Sequence, residues 1–485
     1  MKKILFVTAE CAPFAKAGGL ADVSASLPPA ICGYEIRTIF PLYGIIRDSL
    51  RTLFQPCFSF SCDFDGKRRT AALCRAVYQG RYFYAIDAPE FFVANGSGRL
   101  YLDAAADNRR FLFFCRALLA ALPIWDYQPD LLHLNDWHTS FLSIMLRHDK
   151  SEFFQNTKTL LTIHNIGCMG ITRLPAVLRQ SGLPCSDFLT GPFAWRIRNS
   201  NPLKSGILTA DFLSTVSPSY AAELATDGPD KGNYLSRYIR RRSGSLVGIR
   251  NGIDTDLYNP ATDASIPYRY SACQSESGKA ACKHSLQNRF GLCPDPNAML
   301  CAMVSRFCEQ KGSSLTCTCA EKMLRGGAPL QFVFLGDGNE PFLTEIQRLA
   351  DEFPGRVSAM LHFSQSLPPS VYAGADVFLM PSLYEPCGLG QLIAMRYGAV
   401  PVVRRTGGLA DTIVPYDPAA DQGCGFLFDE YSADALMASL TETLSLYLHD
   451  KTAWRELVAR CMSFDSSWAS PAKEYGRLYG RLCNE

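Results

Sequence analysis

The residues with the most evident chemical use are cations set beside glycine turns. Lys16 precedes Gly18-Gly19, Arg306 leads into Gln310-Lys311-Gly312, and Arg405 precedes Thr406-Gly407-Gly408. Paired glycines let backbone N–H groups approach an anion, and a following helix start adds a favourable dipole. Arg grips phosphate oxygens in a fork and Lys supplies a compact charge. Lys16, Arg306 and Lys311 therefore suit a diphosphate. Glu385, in Glu385-Pro-Cys387-Gly388, can accept hydrogen bonds from sugar hydroxyls. Asp136-Trp137-His138 and His164-Asn165 offer polar contacts around the same sugar, and Gly336-Asp337-Gly338 adds another glycine turn.

Each of these has a plainer alternative. Arg306 and Lys311 could open a solvated helix. His138 reads as a helix-face residue, and Cys387 as a lining residue without chemistry. Trp137 either packs in a core or stacks on a carbohydrate. The run Arg237–Arg242 reads as a solvated loop. The stretch Lys16–Asp22 echoes Arg405–Asp411, once in each half, and each copy follows a strand and precedes a helix.

These residues cluster at the ends of expected strands. Short apolar runs at Ile4–Thr8, Ile36–Phe40, Tyr82–Asp87, Leu131–Asn135, Thr159–His164 and Phe212–Val216 form one series. A second covers Ala298–Ser305, Gln331–Leu335, Val357–His362, Val377–Met380, Val400–Val403 and Gly425–Phe428. Helical stretches lie between, such as Asn108–Leu122, Leu315–Arg325 and Phe342–Phe353. The alternation predicts an α/β chain with parallel sheets covered by helices. Open parallel sheets bind ligands beyond the carboxyl ends of their strands. Two sheets facing one central cleft would gather three cations, two carboxylates and a histidine there. The expected division is 1–245, 246–464 and a final helix within 465–485 that crosses back to the first domain.

Composition bounds the rest. At ~150 residues per domain, 485 residues suggest two or three domains. Hydrophobic residues make up 47% and charged residues 19%, as in a folded globular chain. A net charge of +2 gives no field to recruit nucleic acid or an acidic membrane. The start, Met1–Val7, reads as a first strand rather than a secretory signal. The 19 cysteines include no Cys-x-x-Cys pair, so neither a zinc site nor a disulfide framework is expected. Reduced core cysteines point to a cytoplasmic protein.

Seven motifs, in one order, carry a family resemblance. They are Lys16-Ala-Gly-Gly-Leu20, His133-Leu-Asn-Asp-Trp-His138, Thr162-Ile-His-Asn165, Thr215-Val-Ser-Pro-Ser-Tyr220, Asn251-Gly-Ile-Asp254 and Val304-Ser-Arg-Phe-Cys-Glu-Gln-Lys-Gly312. The last is Glu385-Pro-Cys-Gly-Leu-Gly-Gln391, followed by Arg404–Asp411. Over nearly its whole length the chain resembles the bacterial glycogen synthases and the plant starch synthases. The resemblance implies a GT-B fold of two Rossmann-like domains, with the acceptor side in the first and the nucleotide-sugar side in the second. It implies retaining transfer of glucose from ADP-glucose to the non-reducing 4-hydroxyl of an α-1,4-glucan such as glycogen. ADP leaves, and neither a metal nor a further cofactor takes part. A UDP-glucose donor, another acceptor, or a non-catalytic glucan-binding homologue are the alternatives.

By the same resemblance Lys16, Gly18 and Gly19 contact the donor, and Arg306 and Lys311 hold its diphosphate. Glu385 binds the donor glucose, the backbone at Gly388 and Leu389 approaches the phosphates, and Asp136 and His164 line the sugar. Gly336, Phe363, Cys387, Thr406 and Gly407 complete the donor pocket, with Phe363 stacked on adenine. Trp137 and Tyr101 face the glucan. Two positions depart from the family. Ile393 stands where related glycosyltransferases have a ribose-holding glutamate and these synthases usually have Tyr. The turn after Val357–His362 reads Phe363-Ser-Gln-Ser-Leu-Pro-Pro.

Overall fold

A computed structural model describes residues 1–93, 99–188, 198–226, 228, 233–362, 366–420 and 422–484, and only the backbone of residue 233. The chain divides into two compact units, Met1–Asn251 with Trp468–Glu485, and Gly252–Ser467. Both are Rossmann-like, with largely parallel sheets, as in a GT-B glycosyltransferase.

Unit 1 contains β1 (Lys2–Val7), β2 (Tyr34–Pro41), β3 (Gln55–Phe64), β4 (Lys67–Tyr78), β5 (Arg81–Asp87), β6 (Leu131–Asn135) and β7 (Lys158–Ile163). It continues with β8 (Thr172–Arg173), β9 (Asn199–Ser200), β10 (Phe212–Thr215) and β11 (Leu246–Gly248). Among the described residues nine of these form one sheet in the order β11-β10-β7-β6-β1-β2-β5-β4-β3, and β8 pairs with β9. The central strands are apolar runs because helices cover both faces; all five residues of β6 are buried.

The hairpin β3–β4 is antiparallel and was not expected. Its pattern differs for a physical reason. Phe60, Cys62 and Phe64 are buried while Ser59 and Asp63 are exposed, so only one face is covered. Asp65 and Gly66 both take left-handed backbone, the geometry that suits a tight hairpin turn.

Unit 2 contains β12 (Met299–Val304), β13 (Leu330–Leu335), β14 (Val357–Met360), β15 (Val377–Met380), β16 (Val400–Arg404) and β17 (Phe426–Phe428). All neighbours are parallel, in the order β14-β13-β12-β15-β16-β17. Its core joins these strands to the helices Ser275–Arg289, Ser313–Arg325, Ala433–His449 and Lys451–Ser463. The run expected as a solvated loop is instead a short helix, Ser236–Arg240. It buries Tyr238 and Ile239, and Arg242 donates to the carbonyls of Ile207 and Ala210.

The last helix, Ala469–Asn484, belongs to unit 1. Tyr475, Leu478, Tyr479 and Leu482 recur at the spacing of one helix face and pack on Ile4, Phe6, Leu131 and Leu160. Tyr479 places its hydroxyl 2.6 Å from His133 Nδ1, and Thr162 Oγ1 lies 2.6 Å from His133 Nε2. Burial pushes the His133 imidazole down to about 3, so the ring is neutral at neutral pH. Tyr479→Phe would leave a buried ring nitrogen without its partner and cost about 1–3 kcal/mol. Urea denaturation of the full chain should show a lowered midpoint; an unchanged midpoint would contradict this role for the hydroxyl.

Candidate active site

In unit 1 the strand order reverses at β1, which lies between β2 and β6. Such a reversal opens a crevice beyond the carboxyl ends of the two central strands. The segment after β1 carries Lys16, Gly18 and Gly19 into the helix Gly19–Ala30. The segment after β6 begins with Asp136.

Asp136 is buried and takes left-handed backbone, with φ +57°. Asp tolerates that region better than most residues. Its Oδ1 accepts from the amides of His164, at 2.7 Å, and Asn165, at 3.4 Å. The turn after β7 is thereby tied to the turn after β6. Burial raises the Asp136 carboxyl to about 7, against the pull of those two amides. His164 Nε2 lies 2.8 Å from Asn135 Oδ1, and burial lowers its imidazole to about 3.

The glycine turn has an internal partner that the sequence did not reveal. Glu10 is buried, and its Oε2 accepts from Ala17 N at 2.8 Å and Gly18 N at 2.9 Å. Tyr101 donates its hydroxyl to Glu10 Oε1 at 2.6 Å, and its ring stacks on His138 with centroids 5.1 Å apart. Burial pushes the Glu10 carboxyl up, opposed by these three hydrogen bonds. Lys16 Nζ lies 2.7 Å from Asp22 Oδ1. Trp137 is 7% exposed and meets Phe111 edge-on at 5.5 Å. His138 is buried between Tyr101, Phe111 and Trp137.

In unit 2 the order reverses at β12, which lies between β13 and β15. Arg306 follows β12, is exposed, and has no ion-pair partner among the described residues. Lys311 Nζ lies 2.6 Å from Glu385 Oε2, and Ser382 donates to the same oxygen at 3.0 Å. The two segments are also joined through backbone. Leu383 N donates to Gln310 O at 2.9 Å, and Arg404 donates to Leu383 O at 2.6 Å.

Close backbone approach explains two glycines here. A Cβ on Gly336 would lie 1.8 Å from Ser305 O, so this turn packs against the residue before Arg306. A Cβ on Gly408 would lie 2.3 Å from the Cys387 backbone, and Gly408 N donates to Glu385 O at 3.0 Å. The second copy of the internal echo thus braces the Glu385 loop. Cys387 and Thr406 are buried, and Gly407 opens the helix Gly407–Thr412. Gly388 and Leu389 precede the helix Gly390–Arg396. Ile393 sits in the hydrophobic core, and Phe363 lies outside the described residues.

Glu10, Asn135 and Ser382 were missed. Only Glu10 left a signal, as the one charge between Leu5 and Ala15. Among the described residues no group of three or more His, Cys, Asp or Glu side chains is placed to hold a metal ion. No described helix is long and apolar enough to cross a membrane.

Residues 3–240 match the family model for the starch synthase catalytic domain, and residues 287–456 that for glycosyl transferases group 1. Glycogen synthase 2 of Geobacter sulfurreducens is 39% identical over 487 residues, covering 98% of each chain. A glycogen synthase of Lachnospira eligens is 37% identical, covering 99% of this chain and all of its own. Among solved structures, the catalytic domain of starch synthase IV from Arabidopsis thaliana, bound to ADP and acarbose, has a TM-score of 0.89. It is 30% identical and covers 100% of this chain and 99% of its own. A sucrose-phosphate synthase from Thermosynechococcus elongatus, 18% identical with a TM-score of 0.62 and covering 99% of both chains, shares the fold.

The raised Asp136 carboxyl has a pH consequence. Between 3.8 and about 7 the folded state holds a proton that the unfolded state has released. Stability from this group therefore falls as pH rises through that window. Asp136→Asn should flatten this part of the stability–pH curve, read by thermal denaturation; an unaltered slope would contradict the assignment.

Proposed function

The chain belongs to the glycogen and starch synthase family of GT-B glycosyltransferases, and from that premise we propose that it elongates an α-1,4-glucan with glucose from ADP-glucose. The observation that carries this reading is the cationic pair at the reversal of the unit 2 sheet. Arg306 is exposed and unpaired among the described residues, and Lys311 is held on Glu385. A glucan-binding module has no use for two cations at a phosphate crevice, whereas a nucleoside diphosphate needs them. The match to a starch synthase described as bound to ADP and acarbose favours an adenine nucleotide and a glucan.

The roles follow from charge. Breaking the glucosyl–phosphate bond builds positive charge on the sugar and negative charge on the diphosphate. Arg306 and Lys311 face the departing diphosphate, and fixed charges aimed at a developing anion lower the barrier. Glu385 holds donor hydroxyls and pairs with Lys311. Lys16, Gly19 and the backbone near Gly388 and Leu389 contribute further donor contacts, and Gly336, Cys387, Thr406 and Gly407 belong to the donor side. Asp136 and the neutral His164 line the glucose, and the His164 carbonyl supports the cationic sugar. Trp137 and Tyr101 serve the acceptor side. Retention proceeds by attack of the acceptor 4-hydroxyl on the face that the leaving group vacates. The bond from the sugar to the phosphate oxygen breaks, an oxygen of the departing diphosphate takes the hydroxyl proton, and neither Glu385 nor Asp136 is assigned as a nucleophile. The reaction takes place in the cytoplasm.

Arg306→Ala and Lys311→Ala should each raise the barrier by about 2.7–4 kcal/mol, a loss of roughly 10²–10³-fold in kcat/KM. Arg306→Ala should leave the melting temperature unchanged, whereas Lys311→Ala strands a buried carboxylate and lowers it. Near-normal turnover in either variant would defeat these roles. ADP-glucose and UDP-glucose, each with glycogen, should release nucleoside diphosphate fastest from the adenine donor, and only when glycogen is present. Faster release from the uridine donor would shift the donor assignment. Glycogen binding with no release from either would favour a non-catalytic glucan binder.

A further inference from the structure

Glu10 is 4% exposed where β1 runs out, and the roles proposed so far leave it unused. Its carboxylate gathers three uncharged donors: the amides of Ala17 and Gly18 on one oxygen, and the Tyr101 hydroxyl on the other. The nearby cation Lys16 is held by Asp22 instead. A buried carboxylate is costly unless hydrogen-bonded, and bonds from amides to a charged acceptor are short and strong. The two amide bonds fix two consecutive peptide planes, and the phenol holds the carboxylate itself. That matters at this spot, because a glycine pair sets little of its own backbone.

We propose that Glu10 is the positioning residue of the glycine turn, an internal carboxylate that pins the Ala17 and Gly18 amides so that Lys16 is presented to the donor. Two amides commonly expected to meet a ligand anion are thereby used internally. The Lys16 ammonium and the first amides of the helix Gly19–Ala30 remain for the donor. Tyr101 extends the device. Its hydroxyl holds Glu10 and its ring stacks on His138, two residues beyond Asp136. One carboxylate thus sets the segment after β1 relative to the segment after β6. The inference rests on the donor-dependent transferase reading, but its structural half can be tested alone.

The full chain is compared with Glu10→Gln, Glu10→Ala and Tyr101→Phe. Two readouts are taken: steady-state constants for ADP-glucose and for glycogen, and amide hydrogen exchange of the peptide spanning residues 15–20. Gln keeps the shape and one accepting oxygen but loses the charge. The donor KM should rise about tenfold as charge-assisted bonds become neutral ones. The glycogen KM and melting temperature should stay constant, and exchange at Ala17 and Gly18 should quicken. Tyr101→Phe, at a residue that also serves the acceptor side, should raise the donor KM and quicken exchange at Ala17 and Gly18 by a smaller factor, whether or not its glycogen KM moves. Glu10→Ala should exceed Glu10→Gln; if it does not fold, the other two variants still decide. In Glu10→Gln, an unchanged donor KM with unchanged exchange, or an effect confined to the glycogen KM, would overturn the proposal. Should the unaltered chain use no nucleotide-glucose, the functional reading fails, and exchange in Glu10→Gln still decides whether Glu10 pins the turn.

Discussion

The arrangement of this protein follows from strand order. In each unit the first strand of the parallel sheet lies between its second and fourth parallel neighbours, so successive crossovers leave in opposite directions. The loops beyond those central strands diverge, and the space between them cannot be filled by a crossing chain. Chemically expressive residues fall at these two places: Lys16 and Asp136 in unit 1, Arg306 and Glu385 in unit 2.

The two crevices solve the problem of buried charge differently. Unit 2 pairs opposite charges, with Lys311 against Glu385, and adds a hydroxyl. Unit 1 uses neutral donors. Glu10 and Asp136 are held by amides and a phenol. Its histidines at 133, 138 and 164 are all pushed to about 3 and carry no charge at neutral pH. A pocket of oriented dipoles suits a sugar, and a pair of cations suits a phosphate.

The fold class was legible because parallel strands buried on both faces leave unbroken apolar runs. Each of the twelve runs read as strands overlaps a strand of the structure. The hairpin β3–β4 escaped because it is covered on one face only, and Lys67, Arg68 and Arg69 open its second strand. Its alternation at Phe58, Phe60, Cys62 and Phe64, followed by Asp65-Gly66, would have revealed it. The Arg237–Arg242 run misled because charge density hid the inward-facing Tyr238 and Ile239. Within the candidate site, residue types and motif spacing pointed to the cations and to Glu385. They did not reveal Asn135 or Ser382, whose parts depend on atoms brought together from turns distant in sequence. The second glycine pair read as a ligand turn, yet in the fold it lets the Glu385 loop lie against the helix Gly407–Thr412.

The closing helix has a bearing on how the protein is made. Unit 1 takes part of its covering from a helix that follows unit 2 in sequence, since Tyr475, Tyr479 and Leu482 pack on Ile4 and Leu131. Unit 2 is one uninterrupted stretch. On a ribosome, which delivers the chain from its first residue onward, the unit begun first is the one finished last. Until the final residues emerge, β1 and β6 lack part of their cover, and any release before that point yields an unfinished sheet beside a complete second unit.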